Sequence, residues 1–391
     1  MKPLTFMLIA GDPSGDLAAA DLVRALRERF GPFSPRFIGA GGPALQAVGV
    51  ELAYELTGHS VIGLEILKRL AFFRRVFNGL LSLAEAETPD VIVGVDYAGF
   101  NLRFAEALRR KLHRRSGPFQ NWKPRVVQYI SPQVWASRPG RAQRLARSHD
   151  LLLTILPFES AWFAQRVPQL RVEFVGHPLV DRHRHSARPS AQDPESGPCL
   201  VLLPGSRVSE LSRHLPVVAA AAVQVRRESG IRLLLVLPEE RLRPMTQALL
   251  APFPEIEVQI GQLSTALLSA TVALASTGTV TLECAWFGVP TVALYKTWSL
   301  TYHVGKRIIT VRHLAMPNLL AGETVLPEFV QDDANPSHLA SATLALLRDT
   351  PRRLAIRRRL LELAQSLGQP GTSQRAADAI ARVLSQSDRS P

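Results

Sequence analysis

Apolar residues along the chain fall into two alternating patterns, short near-continuous runs and longer stretches that repeat every three or four positions. The short runs predict strands: "TFMLIAG" at 5–11, "RFIGAGG" at 36–42, "VIVGVD" at 91–96, "RVVQYIS" at 125–131, "LLLTILP" at 151–157 and "VEFVGHP" at 172–178. Helical periodicity fills the gaps, as in "LAAADLVRALRERF" (17–30) and "FNLRFAEALRRKL" (100–112). A strand that is apolar throughout is covered on both faces, so the alternation predicts a parallel sheet between two helix layers. The polar, Pro- and Ser-rich stretch "RHSARPSAQDPESGP" at 184–198 has no period and predicts a linker. The alternation then restarts with "CLVLLPGS" (199–206), "IRLLLVLP" (231–238), "IEVQIG" (256–261), "ATVALAST" (270–277) and "PTVALYK" (290–296). The expected fold class is α/β: two Rossmann-like doubly wound domains, 1–183 and 199–367, with a ligand cleft between the carboxyl ends of their sheets. Helical stretches at 351–367 and 373–386 end the chain, and the tail 368–391 is free to pack back on the first domain.

Length and charge sharpen this picture. At 391 residues there is enough chain for two cores. The 46 Lys+Arg against 33 Asp+Glu leave +13, which favours an anionic partner: nucleic acid, an anionic membrane surface or phosphorylated substrates. Cys199 and Cys284 lie far apart, which excludes a disulfide framework and fits a reducing cytoplasm. The opening "MKPLTFMLIA" runs into "GDPSGD" rather than a cleavage site, so it reads as a first strand and not a signal peptide. No apolar run approaches the ~18 residues of a membrane span. With no HxH, HExxH or clustered Cys/His spacing, no metal or other cofactor is expected, and the absence of GxxxxGK[ST] argues against a Walker-type ATPase.

Three strand-to-helix corners carry candidate chemistry. In "LLPGSRVSEL" (202–211), Gly205 and Ser206 let amides face an anion at a helix start, and Arg207 adds a forked charge suited to phosphate. An ordinary β–α turn would look the same. In "ASTGTVTLECAWFGVP" (275–290), Ser276, Thr277, Gly278 and Thr279 open a second helix, and Glu283 follows one turn on. That Glu suits ribose hydroxyls, unless it is a solvated helix carboxylate. In "AGDPSGDLAAADLVRAL" (10–26), Ser14 and the small residues around Gly15 could touch a ligand, while Asp12 or Asp16 caps the helix, a role better suited to Asp16. "GAGGP" with Gly39, Gly41 and Gly42 is a weaker Gly-rich turn. Asp96 ends the buried strand of "VGVDYAGFN" (93–101), placed either as a general base or as a helix cap. "YISPQVWASRPGR" (129–141) offers Gln133, Trp135, Arg138 and Arg141 to the same cleft, and His177 of "GHP" reads as structural.

Taken together, these stretches resemble one family closely, the lipid-A-disaccharide synthases, glycosyltransferases of lipopolysaccharide biosynthesis. The matching segments are "AGDPSGD", "GAGGP", "VGVDYAGFN", "YISPQVWA", "LPFE" (156–159), "GHPLVD" (176–181), "LLPGSR", "STGTVTLE", "MPNLLAG" (316–322) and "LPEFVQD" (326–332), in family order over nearly the whole chain. The resemblance implies the two-domain arrangement called GT-B. The implied reaction joins UDP-2,3-diacylglucosamine to 2,3-diacylglucosamine 1-phosphate through a β-1,6 bond, with inversion and release of UDP. By motif position Asp96 takes the family's candidate base, and Ser14, Arg207, Thr277–Thr279, Glu283 and Asn318 fall at donor-site positions. Asp12, Ser14, Gly15, Asn101, Gln133 and Trp135 are the expected acceptor side. The resemblance further implies peripheral association with the cytoplasmic face of the inner membrane, and homodimers in some members through exchanged C-terminal segments. Asp12 stands where the family usually has Glu, Ser137 where Trp follows "VWA", and Thr277 where Ser precedes the glycine.

The stretch "SVIGLEILKRLAFFRRVFNGLL" (60–81) predicts a basic, phenylalanine-rich helix. At about 100° per residue, Ile66, Leu67, Leu70, Phe73, Phe77, Leu80 and Leu81 share a face that Arg69 and Arg74 flank, with Phe72 off it. Basic edges that snorkel around an apolar stripe suit a headgroup layer, so Ile66, Arg69, Leu70, Phe72, Phe73, Arg74 and Phe77 are expected to face the membrane or an acyl chain. A core helix with a solvated back is the alternative. Two rival functions remain: a UDP-sugar 2-epimerase with the same fold, and a non-enzymatic basic membrane- or nucleic-acid-binding protein. Nucleic acid is not expected, because no aromatic-interleaved basic stretch or recognition helix is present.

Overall fold

The computed structural model describes residues 3–57, 66–114, 122–184, 186 and 197–385, with the side chains of 66–70, 299–301 and 304 left aside. It divides into two compact units, Met1–Arg184 with Leu367–Pro391, and His185–Ser366.

The first unit runs β1 (Thr5–Ala10), α1 (Pro13–Phe30), β2 (Arg36–Gly41), α2 (Pro43–Ala47), β3 (Glu51–Glu55), α3 (Ile66–Glu87), β4 (Val91–Val95) and α4 (Ala98–Arg114). It continues with β5 (Arg125–Tyr129), α5 (Val134–Ser137), α6 (Arg141–Ser148), β6 (Leu151–Thr154), α7 (Glu159–Arg166), β7 (Arg171–Phe174) and α8 (Pro178–Arg182). All seven strands are parallel, in the order β3-β2-β1-β4-β5-β6-β7. The second unit runs β8 (Cys199–Leu203), α9 (Val208–Ser229), β9 (Arg232–Leu237), α10 (Arg243–Leu250), β10 (Glu257–Ile260), α11 (Leu263–Leu268), β11 (Val272–Ser276) and α12 (Thr279–Trp286). After β12 (Thr291–Tyr295) come α13 (Ser299–Ile308), α14 (Met316–Ala321), β13 (Glu328–Val330), α15 (Pro336–Arg348) and α16 (Thr350–Gln365), while α17 (Thr372–Ser385) belongs to the first unit. The second sheet is also parallel, ordered β10-β9-β8-β11-β12-β13.

Both orders reverse direction at one place, between β1 and β4 in the first sheet and between β8 and β11 in the second. At such a reversal the loops leaving the two central strands part in opposite directions and open a crevice. The central strands are fully buried because helices cover both faces. In the first sheet α1, α2 and α17 pack on Phe6, Leu8, Val93 and Tyr129, and α3 and α4 pack on Met7, Ile9 and Ile92.

The chain's end closes the first core. Ala376, Ala377, Ala379, Ile380 and Val383 of α17 are buried against α1 and the sheet. Asp181 fixes that helix by accepting from the amides of Gly371 (2.6 Å), Thr372 (2.8 Å) and Ser373 (3.4 Å). His177 donates its amide to the Leu367 carbonyl (2.9 Å) and accepts from the Thr372 hydroxyl through its own carbonyl (3.3 Å). The "GHPLVD" segment is thus a dock for the C-terminal helix.

Helix α3 resolves part of the question raised by its composition. Val76, Leu80, Leu81 and Ala84 are buried in the first unit's core, and Phe77 sets its ring edge against Phe100 (5.5 Å) and Phe104 (6.0 Å). Phe77 is half-buried, with its packed side turned to α4, and Phe72 borders the same core. Phe72 and Phe73 are half-buried and Arg74 is exposed. Residues 60–65 and the side chains of Ile66, Arg69 and Leu70 lie outside what is described.

One buried group gives this unit a pH signature. His149 is enclosed, with Nδ1 2.9 Å from the Ser148 hydroxyl, and burial pushes its imidazole down to about 4. An unfolded His takes its proton near 6.5, so protonation favours the unfolded chain. The neutral ring's contribution is intact above about 6.5 and is lost as pH falls toward 4, by roughly 2–3 kcal/mol. Denaturant midpoints at pH 7 and pH 4.5 are expected to differ more for the native sequence than for His149→Gln. Equal shifts would remove this residue as the cause.

Candidate functional site

In the second unit the two loops at the sheet's reversal point both run into helix starts. After β8, Gly205 adopts φ +133° and leads into α9, whose N-cap Arg207 makes no side-chain cap. A Cβ at Gly205 would lie 2.8 Å from both Cβ and Oε2 of Glu210, so only glycine fits. Glu210 folds back over this turn, accepting from the Ser206 amide (3.2 Å) and from Arg207 Nη1 (3.0 Å). A carboxylate therefore rests on the donors that the sequence assigned to an anion. Arg207 itself is three-quarters exposed and pairs with Glu210 through one guanidinium nitrogen.

After β11, Gly278 (φ +123°) is the N-cap of α12, again with no side-chain cap. Ser276 is buried, Thr277 and Gly278 are half-buried, and Thr279 is exposed at the helix start. The free helix start and the positive end of its peptide dipoles favour an anion. Glu283 is buried within α12, so it is not a solvated helix carboxylate.

Asn318 is a different matter. It is fully buried, and its amide is spent internally: Nδ2 donates to Leu326 O (2.8 Å) and Glu328 Oε1 (2.6 Å), while Oδ1 accepts from Val325 N (2.8 Å) and Leu326 N (2.7 Å). With both hydrogens and both lone pairs engaged, it has nothing left for a donor substrate. Its place in "MPNLLAG" is to hold the loop before β13.

In the first unit Asp96 follows β4 beside the start of α1; a Cβ built on Gly15 would lie 3.4 Å from Asp96 Cβ. The cap of α1 is Asp12, whose Oδ1 accepts from Gly15 N (2.7 Å) and the Ser14 hydroxyl (2.9 Å). Asp16, expected in that role, is buried and points elsewhere, accepting from Gly42 N (2.7 Å), Ala44 N (2.8 Å) and Leu45 N (3.3 Å) at the start of α2. Asp16 thereby ties the "GAGGP" turn to α1. The Ser14 side chain remains exposed at the helix start.

The backbone here is strained. Asp96 (φ +49°), Tyr97 (φ +41°) and, at the end of neighbouring β5, Ile130 (φ +63°) all sit in the left-handed region. Each non-glycine residue there costs on the order of 1–3 kcal/mol, most for a β-branched one, and such strain gathers at functional sites. Tyr97 stacks on Phe100 (5.4 Å) and faces Phe73 (6.5 Å), which links the α3 aromatics to the Asp96 loop.

Two residues expected to face the acceptor are instead internal. Trp135 is buried, donating Nε1 to Glu159 Oε1 (3.0 Å) and setting its edge on Phe158 (4.9 Å). Burial raises the Glu159 carboxyl, against the opposing pull of the Trp135, Leu156 and Ile155 donors. Asn101 is buried with Nδ2 on the Asp96 carbonyl (2.9 Å). Gln133 is exposed. Nearby, Arg141 is held below its usual range by burial and by Arg138, Arg144 and Arg103, in that order. Among the described residues Arg144 pairs bidentately with Glu106 (2.6 and 2.7 Å). Burial pushes the Cys284 thiol up to about 12 and the Cys199 thiol up as well, so neither is a nucleophile at neutral pH. Among the described residues no three His, Cys, Asp or Glu side chains gather as a metal-holding group, and no helix is long and apolar enough to cross a membrane.

A family model for lipid-A-disaccharide synthetase matches residues 6–383. The chain is 36% identical over 387 residues to the lipid-A-disaccharide synthase of Alkalilimnicola ehrlichii, covering 96% of this chain and 97% of the relative. It is 37% identical over 383 residues to that of Chromohalobacter salexigens, covering 95% of each. The chain belongs to the lipid-A-disaccharide synthetase family. It is a glycosyltransferase of lipid A biosynthesis, with the GT-B pair of Rossmann-like domains. A UDP-GlcNAc 2-epimerase from Neisseria meningitidis, solved with UDP-GlcNAc, superposes with TM-score 0.62 over 97% of this chain and 99% of that one, at 10% identity. At that identity the likeness shows the fold alone, so the epimerase alternative is not favoured.

Three residues of this synthase's site carried no motif. His214 is buried on α9, donating Nδ1–H to Pro204 O (2.7 Å) and accepting at Nε2 from Lys296 N (3.1 Å), which pins the turn before Gly205. It sits at core spacing among Leu211, Leu215 and Val218, where a histidine looks like a packing residue. Glu210 reads as an ordinary first-turn acid. Gln128 is a buried amide that interrupts the apolar run of β5, and that break in the pattern is its sequence signal.

Proposed function

We propose that this transferase moves the 2,3-diacylglucosamine unit of UDP-2,3-diacylglucosamine onto the 6-hydroxyl of 2,3-diacylglucosamine 1-phosphate. The acceptor oxygen attacks the anomeric carbon, the bond from that carbon to the β-phosphate breaks, and the configuration inverts. Asp96 takes the hydroxyl proton, and the leaving electron pair goes to UDP. The observation that carries this reading is the pairing of loops at each sheet's reversal point: Asp96 beside the α1 start in one unit, and in the other the start of α12 at Gly278 beside the Arg207 start of α9, which the Glu210 carboxylate covers. Arg207 and the amides of Gly278 and Thr279 at the start of α12 stabilise charge as it grows on the diphosphate, which is where preorganised donors lower a barrier; the Thr277 amide is engaged by the Leu294 carbonyl (2.9 Å). Glu283 suits the ribose hydroxyls.

The cluster of Arg103, Arg138, Arg141 and Arg144, which carries more positive charge than the nearby Glu106 offsets, fits the acceptor's phosphate, and the half-buried Phe72 and Phe73 fit an acyl chain or the headgroup layer of the cytoplasmic membrane face. In this reading the enzyme works peripherally on that face. Defined donor and acceptor, followed by mass spectrometry, test the reaction: the expected products are a disaccharide 1-phosphate and UDP in equal amounts. An acceptor without its phosphate is expected to be used more weakly. Turnover of UDP-GlcNAc alone to an epimer would contradict the proposal. Because arginine and helix starts supply the positive charge, EDTA is expected to leave turnover unchanged, and a loss restored by Mg²⁺ would assign that charge to a metal.

A further inference from the structure

We propose that Gln128, with Asn101, is a positioning residue that holds the Asp96 backbone in its left-handed conformation and so aims the carboxylate. The inference rests on Asp96 acting as the base, the reading given above. The ladder between β4 and β5 pairs Gly94 with Gln128 and Val95 with Tyr129, and its last bond runs from Asp96 N to Tyr129 O (2.9 Å). One residue later both chains turn into the left-handed region, at Asp96 and at Ile130. The carbonyls released by those turns converge on a single buried amide. Gln128 Nε2 donates to Asp96 O (2.9 Å) and lies 3.2 Å from Ile130 O. Asn101 Nδ2, arriving from α4, donates to the same Asp96 oxygen at 2.9 Å. Gln128 is 1% exposed and Asn101 3%, so water does not compete for these donors.

The strand makes room for this arrangement. Gly94 lies in the middle of the sheet without a left-handed φ, and its missing side chain is explained by crowding. A Cβ there would come within 2.8 Å of Gln128 Oε1 and 2.9 Å of Asn101 Nδ2. Glycine in a buried strand costs stability and marks a close approach, here of two side-chain amides. A backbone that would relax without its two donors is thus held by groups that touch no substrate. The carboxylate it carries depends on placement, since an error of about 1 Å can cost roughly 10²-fold in rate.

Gln128→Met keeps the length and apolar packing of the side chain and removes the donor. It is expected to lower kcat by roughly 10–100-fold, leaving UDP affinity and both KM values within about twofold. In an Asp96→Asn background, where no base remains to be aimed, the same substitution is expected to cost less than about twofold. A scaffold role would cost the same factor in both backgrounds, and that result would overturn the proposal, as would full turnover of the single variant. Should Asp96→Asn itself remain active, the base assignment is what fails. If Gln128→Met does not fold, Asn101→Ser, which removes the second donor, carries the same comparison with the same outcomes.

Discussion

Asp96→Asn is expected to lower turnover by roughly 10²–10⁴-fold while leaving UDP affinity nearly unchanged. The substitution is a clean one at this position. Asn tolerates a left-handed backbone as Asp does, so the φ of +49° is kept. The Asp96 carbonyl still receives Gln128 and Asn101, because those bonds use the main chain. What disappears is the carboxylate's ability to accept a proton. Arg207, Gly278 and Glu283, which hold the donor in the proposed reaction, belong to the other unit. Steady-state kinetics with both substrates varied, together with calorimetric titration of UDP, separate the two effects. A loss below about tenfold would take the role of base away from Asp96.

The second large effect concerns assembly of the fold. A chain ending at Ser366 is expected not to form the first unit. It loses Ile380 and Val383, each contributing about 1.5–3 kcal/mol by burial, three buried alanines, and the helix that covers α1 and Tyr129. It also strands the Asp181 carboxylate, which has three amides of the Gly371–Ser373 segment as partners. Losses of that sum match the whole stability of an ordinary domain, about 5–15 kcal/mol. Calorimetry of the truncated chain is expected to show the transition of the His185–Ser366 unit alone. Two unchanged transitions would mean that α17 is an ornament on a core already complete.

Much of this architecture is legible in the sequence, and what escapes does so for physical reasons. The central strands read as uninterrupted apolar runs because both of their faces are covered. β3 and β13 leave no apolar run to read: "ELAYE" alternates exposed and half-buried positions, and "EFV" has only three residues, all half-buried, whereas the other edge strands, β7 and β10, keep enough alternating apolar residues to be legible. The glycine- and serine-bearing corners fall at the reversal points, where a nucleotide site is expected. Polar residues inside motifs were harder to assign. Asn318, Trp135 and Asn101 occupy family segments, yet each is buried and bonded within the protein. Sequence reveals that such residues are polar, and only packing reveals whether they face a ligand or a neighbouring loop. Asp12 and Asp16 make the same point, since two acids four residues apart on one helix start serve two different helices.

The proposed reaction depends on where the donor's diphosphate binds. A crystal structure of the chain with UDP tests this most directly. The expected result has the diphosphate at the starts of α9 and α12, in contact with Arg207 and the amides near Gly278, the ribose by Glu283, and the Glu210 carboxylate displaced from Ser206. UDP seated elsewhere, with Glu210 still closed over the Gly205 turn, would contradict it.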